Sequence, residues 1–168
     1  MDKAVIREMV RADACAVVAL NKAVVRVTSP MDLDRFAELY ELSHHKMVVE
    51  VDEQVVAFVL VVTHGQSYDN ANYHWFGRRF EAYFYIDRVV VADEFRGRGL
   101  GSSLYSRINN LALKVGVSAL CAEIDVDPPN VESLRFHQRA GFTPLGSRVL
   151  ENGKQVSMQI RPIVAGLL

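Results

Sequence analysis

The chain has 168 residues, half of them hydrophobic and 23% charged, a balance that suits one globular domain over residues 1–168 with a core of its own. Nineteen Lys and Arg against twenty Asp and Glu leave a net charge of −1, so no overall field draws the protein to nucleic acid, and any anion site has to be local. Two cysteines, Cys15 and Cys121, do not make a disulfide framework or a metal site, and read as small buried hydrophobes in a reducing compartment.

Met1–Arg7 has neither a long apolar core nor a cleavage pattern, and no apolar run approaches the roughly 18 residues of a membrane span, so a cytoplasmic protein without membrane attachment is expected. A short strand at about Val5–Met9 leads to a helix that Asp13 can cap and that runs to about Val25. Ser29-Pro30-Met31-Asp32 breaks the chain, and Asp32 caps a second helix ending near Leu42. Lys46–Val51 and Gln54–Thr63 are β-rich runs joined at Asp52-Glu53, a hairpin.

His64 to about Arg79 is polar and aromatic and long for a hairpin loop, which points to function or mobility. A central strand follows at about Glu81–Val91. After a turn, Leu100, Leu104, Ile108, Leu111 and Val115 recur with the spacing of one helix face. A strand at Ala119–Val126 stops at Asp127-Pro128-Pro129-Asn130. Asn130 caps a helix from about Val131 to Ala140, and Gly141 ends it. Strands at roughly Phe142–Leu150 and Lys154–Arg161 meet at Glu151-Asn152-Gly153. The order predicts an α+β fold: a mixed, mostly antiparallel sheet of about six or seven strands flanked by about four helices.

Arg96-Gly97-Arg98-Gly99-Leu100-Gly101 lies between the central strand and the long helix. That order aims unpaired backbone N–H groups and the positive helix end at one point, which suits a phosphate or pyrophosphate. Two arginines add guanidinium donors. A Walker A loop requires a lysine that is absent after Gly101, and a dinucleotide fingerprint requires a third glycine where Ser102 stands. The pattern Arg/Gln-x-x-Gly-x-Gly/Ala fits fully at Arg96, Gly99 and Gly101.

With Val89-Val90-Val91 ahead of the turn, and Asn130, Ser133, Phe136 and Gly141-Phe142 behind it, the chain resembles the GNAT superfamily of N-acetyltransferases, which bind acetyl-CoA. The resemblance covers about Ala4 to Arg161 in element order and is specific in 81–106 and 119–142. It implies that the backbone of Val89, Val90 and Val91 pairs with the pantetheine arm, the Val90 N–H facing the thioester oxygen. It implies that Arg96, Gly97, Arg98, Gly99, Leu100, Gly101 and Ser102 wrap the pyrophosphate. Asn130, Ser133 and Phe136 would present one helix face to the cofactor, although Asn130 also reads as a plain cap and Phe136 as packing.

Phe136 stands where many relatives have a tyrosine that protonates the departing thiolate, and a phenyl ring cannot do so. Another group supplies that proton, or the thiolate leaves unassisted. Adjacent His137 reads as a surface residue, and Tyr85 is the better candidate acid or substrate-positioning group. Asp87 is the candidate base, a carboxylate on an otherwise apolar strand; the alternative is a structural carboxylate paired with Arg88 or a loop N–H. Glu81, His64 and His74 are weaker candidates. No covalent intermediate is needed, and Cys121 lies on a strand that reads as buried. The implied reaction is acetyl transfer from acetyl-CoA to a small-molecule or peptide amine; the alternatives are a non-catalytic acyl-CoA sensor or scaffold, and a nucleotide-binding protein. In the family, the first helix pair and the loop before the central strand build the acceptor site, here about Val25–Asp34 and Gln66–Phe80. Tyr68, Tyr73, His74, Trp75 and Phe76 either stack an aromatic or cationic acceptor, pack on themselves, or form a homodimer contact.

Overall fold

The computed structural model describes residues 3–164. Seven strands follow the order β1-β2-β3-β4-β5-β7-β6 in a mixed sheet. The β4–β5 pair is parallel, and the β1–β2, β2–β3, β5–β7 and β7–β6 pairs are antiparallel. The described residues divide into two compact units, 3–62 with 86–108, and 63–85 with 109–164.

The first unit contains β1 (Val5–Glu8), α1 (Ala14–Ala23), α2 (Leu33–Leu42), β2 (His45–Val51), nearly all of β3 (Gln54–Thr63), the end of β4 (Tyr83–Val91) and the start of α4 (Leu100–Val115). Val56 to Val62 is buried without interruption, as a strand covered on both faces requires. Asp32 caps α2, its Oδ1 accepting from the Arg35 N–H at 2.8 Å. Asp13 does not cap α1. Its carboxylate accepts from the Arg7 guanidinium at 2.8 and 2.9 Å and from the Val10 N–H at 2.8 Å. A two-point charged pair outweighs a single cap bond, and it holds the Asp13 carboxyl below its ordinary range. The β2–β3 hairpin turns through Asp52 and Glu53 at φ +48° and +63°, the left-handed geometry of a tight two-residue turn taken up without glycine.

The buried stripe of α4 is Leu100, Leu104, Tyr105, Ile108 and Ala112. Leu111 lies at its margin, and Val115, expected on that face, is 58% exposed because the stripe ends before the helix does.

The second unit holds the start of β4, α3 (Ala71–Gly77), the end of α4, β5 (Ala119–Asp127), α5 (Val131–Arg139), β6 (Thr143–Val149) and β7 (Gln155–Pro162). Residues Tyr83, Phe84 and Tyr85 of β4 pair with Ala119, Leu120 and Cys121 of β5. The segment read as a long loop contains α3, the element beyond the expected helix count. Asn70 starts it, its Oδ1 accepting the N–H groups of Asn72 at 2.9 Å and Tyr73 at 3.0 Å. The sequence signal was masked because one short turn pair, Tyr73 and Phe76, carries the whole apolar face. Trp75 lies over β6 where Gly146 leaves room: a Cβ there would come within 2.9 Å of the indole. Arg148 of β6 bonds the Asn72 side chain.

Candidate functional site

Beyond Val91 the chain makes a 3-10 turn at Asp93–Phe95 and enters the glycine segment. Arg96 Nη2 lies 2.9 Å from Asp93 Oδ1, and the Arg98 guanidinium rests 4.7 Å from the centre of the Phe95 ring. Both arginines remain exposed. Gly97 and Gly99 have φ of +74° and +77°, and nothing lies within 4 Å of a Cβ built on either. Glycine is required here by backbone conformation rather than crowding, and it leaves an open face over the turn. The Gly99 carbonyl accepts the Ser103 N–H at 2.9 Å and the Ser103 hydroxyl at 3.1 Å, closing the first turn of α4. The N–H groups of Leu100, Gly101 and Ser102 therefore precede the first intrahelical bond and point out of the helix end. Leu100 anchors that end in the core.

On β4, Arg88 and Val90 are buried, while Asp87, Val89 and Val91 alternate with them on a less covered face. Of the three valines, Val90 is buried and Val89 and Val91 are half-buried. Asp87 Oδ2 lies 3.2 Å from Arg88 Nε, and each side chain is 5% exposed. The pairing with Arg88 is the structural alternative weighed for this carboxylate.

In the second unit, the Tyr85 hydroxyl lies 2.8 Å and 2.7 Å from the two oxygens of Glu123 on β5. Glu123 was missed in the sequence. The available signal was a carboxylate set in the apolar first part of a strand, here Ala119-Leu120-Cys121-Ala122-Glu123-Ile124, with Asp125 and Asp127 following toward its end. Tyr85 is fully buried, with Tyr73, Phe76 and Tyr68 at ring-centre distances of 5.6, 6.1 and 6.4 Å. Tyr68, Tyr73 and Phe76 are thus packed on themselves and on β4, the second of the three readings of that segment. Trp75 is partly open and stacks against the Arg79 guanidinium at 3.4 Å. Cys121 is fully buried, and burial pushes its thiol far above the ordinary range, whereas Cys15, also read as buried, is exposed on α1.

Asn130 Oδ1 accepts the Ser133 N–H at 3.2 Å, so it caps α5. Ser133 and Phe136 are half-buried on the helix. His137, expected at the surface, is 3% exposed. Its ring sits edge-on to Phe136 and Phe142 at 5.2 and 5.0 Å, the turn of about 100° from Phe136 bringing it to the inner face. Its Nδ1 lies 2.8 Å from the Ser133 carbonyl, which can only accept, so Nδ1 carries the proton. Burial lowers the imidazole pKa to about 4, against a smaller opposing effect of that bond.

His64, His74 and Glu81 line a cavity of about 460 Å³ with Gln66, Arg78 and Tyr83. Neither Tyr85, Glu123 nor any residue of the glycine turn lines it. Among the described residues no helix is long and apolar enough to cross a membrane.

A family model described as the acetyltransferase (GNAT) family matches residues 13–142. No curated protein matches the chain at a significant level. Among solved structures, Ard1 from Thermoplasma volcanium is similar with a TM-score of 0.79 at 19% identity, over 96% of this chain and 99% of that one. The ribosomal-protein-S18-alanine N-acetyltransferase from Escherichia coli gives 0.72 at 16% identity, over 99% of both chains. The putative acetyltransferase yncA from Salmonella typhimurium, solved with acetyl-CoA, gives 0.73 at 22% identity, over 99% of this chain and 97% of that one. At these identities the likeness is one of fold.

Proposed function

Because the chain belongs to the GNAT acetyltransferase family, whose donor is acetyl-CoA, we propose that it acetylates a primary amine by direct attack on the thioester. The observation that carries this reading is the turn at Gly97 and Gly99, open-faced and running straight into the N-terminus of α4. Backbone donors with no Cβ in the way fit a pyrophosphate, and Arg96 and Arg98 add charge at the rim. Val89, Val90 and Val91 would offer backbone groups to the two amides of the pantetheine arm, and the Val90 N–H would donate to the thioester oxygen as charge develops there. Asn130, Ser133 and Phe136 would line the cofactor from α5.

The amine must lose a proton as its nitrogen bonds the carbonyl carbon and the C–S bond breaks. Glu123 is the base in this proposal, with Tyr85 fixing the carboxylate between its two oxygens. Asp87 is the second candidate, less favoured because its carboxylate already faces Arg88. Phe136 has no proton to give, and His137 is neutral near pH 7, its one N–H committed to Ser133. The thiolate therefore leaves as the anion of an ordinary thiol and is protonated by solvent or through Tyr85. Cys121 is buried and strongly disfavoured as a thiolate, which supports transfer without an acyl-enzyme.

The acceptor class is a small-molecule or peptide amine. The test is CoA-thiol release over a panel of both, with calorimetry against acetyl-CoA. Binding with turnover on at least one amine is expected. An absence of acetyl-CoA binding would sink the proposal, and binding without turnover on any amine would favour a sensor.

A further inference from the structure

Arg88 is a cation inside the first unit's core. Its Nη1 donates to Asn21 Oδ1 at 2.9 Å and to the Ser29 carbonyl at 2.5 Å, and its Nε to Asp87 Oδ2 at 3.2 Å. Asn21, fully buried on α1, donates from Nδ2 to the same Ser29 carbonyl at 3.0 Å. Strand β4, helix α1 and the α1–α2 connection thus meet at one guanidinium. Asn21 also lines a cavity of about 370 Å³, with Val25, Pro30 and Met31 from or beside that connection.

A buried guanidinium is tolerated only with a counter-charge and with its N–H groups occupied. Asp87 supplies the charge, and Asn21 and Ser29 supply acceptors that a lysine, with its shorter reach and single point of charge, cannot engage together. We propose that Arg88 is a positioning residue: it fixes the α1–α2 connection, and the cavity it borders, against β4 one residue ahead of Val89, with Asp87 as its counter-ion. The connection spans residues 24–32 and contains no regular helix or strand. Its place is therefore set by such tertiary bonds.

The test compares Asp87→Asn, Arg88→Met and the double variant by thermal unfolding and by amide hydrogen exchange over residues 24–32. Each single variant lowers the unfolding midpoint, because each breaks the buried Asp87–Arg88 charge pair. The double variant regains most of the loss, because no buried charge remains. Exchange over 24–32 nevertheless stays roughly tenfold faster than wild type in both Arg88→Met and the double variant, since the bonds to Asn21 and Ser29 are gone in each. Asp87→Asn alone keeps those bonds and near-normal protection there.

Protection that returns together with the midpoint in the double variant would reduce Arg88 to a stability element and overturn the positioning role. An unchanged midpoint in Asp87→Asn would overturn the counter-ion assignment. A turnover arm rests on the acetyl-transfer reading. With an amine from the panel, the loss in Arg88→Met falls in KM, with kcat within about twofold; a fall in kcat at unchanged KM counts against the proposal. Failure of wild type to bind acetyl-CoA would strike that reading alone, because the exchange and unfolding arms need no ligand.

Discussion

The Tyr85 hydroxyl bridges both oxygens of Glu123 from a strand position that is wholly closed to solvent. A buried phenol is seldom left to face a carboxylate without consequence for that carboxylate's orientation. Glu123→Gln is expected to lower kcat by about 100- to 10,000-fold, with acetyl-CoA affinity changed less than about twofold. Tyr85→Phe should have a smaller effect in the same direction. Calorimetry beside steady-state kinetics checks both, and a Glu123→Gln enzyme with wild-type kcat would remove this residue from the chemistry.

The glycine turn makes a separate prediction. Gly99→Ala finds free space but imposes a side chain at φ +77°, which costs about 1 kcal/mol of stability. Gly99→Glu and Arg98→Glu should weaken acetyl-CoA binding by more than about tenfold, while circular dichroism stays that of the wild type. Unchanged affinity in either would show that the pyrophosphate lies elsewhere.

His137 predicts a stability slope with pH. Its folded pKa of about 4 lies below the ordinary 6.5, so the unfolded chain takes up a proton first as the pH falls. This contribution is complete above about pH 6.5 and is lost between there and about pH 4, amounting to roughly 3 kcal/mol at most. His137→Leu should flatten the unfolding midpoint across that window. The Asp13–Arg7 pair acts lower: its depressed carboxyl pKa gives stability that is full above the ordinary 3.8 and lost further into acid. A His137→Leu protein with an unaltered slope between pH 6.5 and 4 would contradict the assignment.

Gly146 and Trp75 form a size match. Gly146→Val should cost about 1–3 kcal/mol, because the β-carbon alone would approach the indole to 2.9 Å. Combining it with Trp75→Leu should recover part of that loss, giving non-additive midpoints in chemical denaturation. Strict additivity would place the two side chains out of contact.

Much of this molecule was written locally enough to read. The Asp32 cap, the Asp52-Glu53 hairpin, the turn at Gly97–Gly99 and the Asn130 cap each depend on neighbours within a few positions, and each has the expected geometry. The misreadings arise where side chains meet in three dimensions, near in sequence for Asp13 and His137 and far apart for Glu123. Asp13 was diverted by Arg7, whose preference for a carboxylate outweighs a helix cap. His137 was drawn inward between Phe136 and Phe142, a burial that polarity alone argues against. Glu123 becomes distinctive only when β4 brings Tyr85 beside it across 38 positions of sequence. Helix α3 was hidden because its apolar residues find part of their cover on β4, outside the segment itself.

The segment that carries α3 leaves and rejoins the sheet at neighbouring points, the His64 N–H donating to the Tyr83 carbonyl at 3.1 Å. Such a closed base makes the stretch between a cassette: its length and contents can be exchanged without altering where β3 ends or β4 begins. What it carries is the aromatic jacket of Tyr85. Grafting a different cassette onto the same two strands would re-dress that phenol while leaving the strand beneath it in place. Variation among relatives here would then be a route to new selectivity that spares the scaffold.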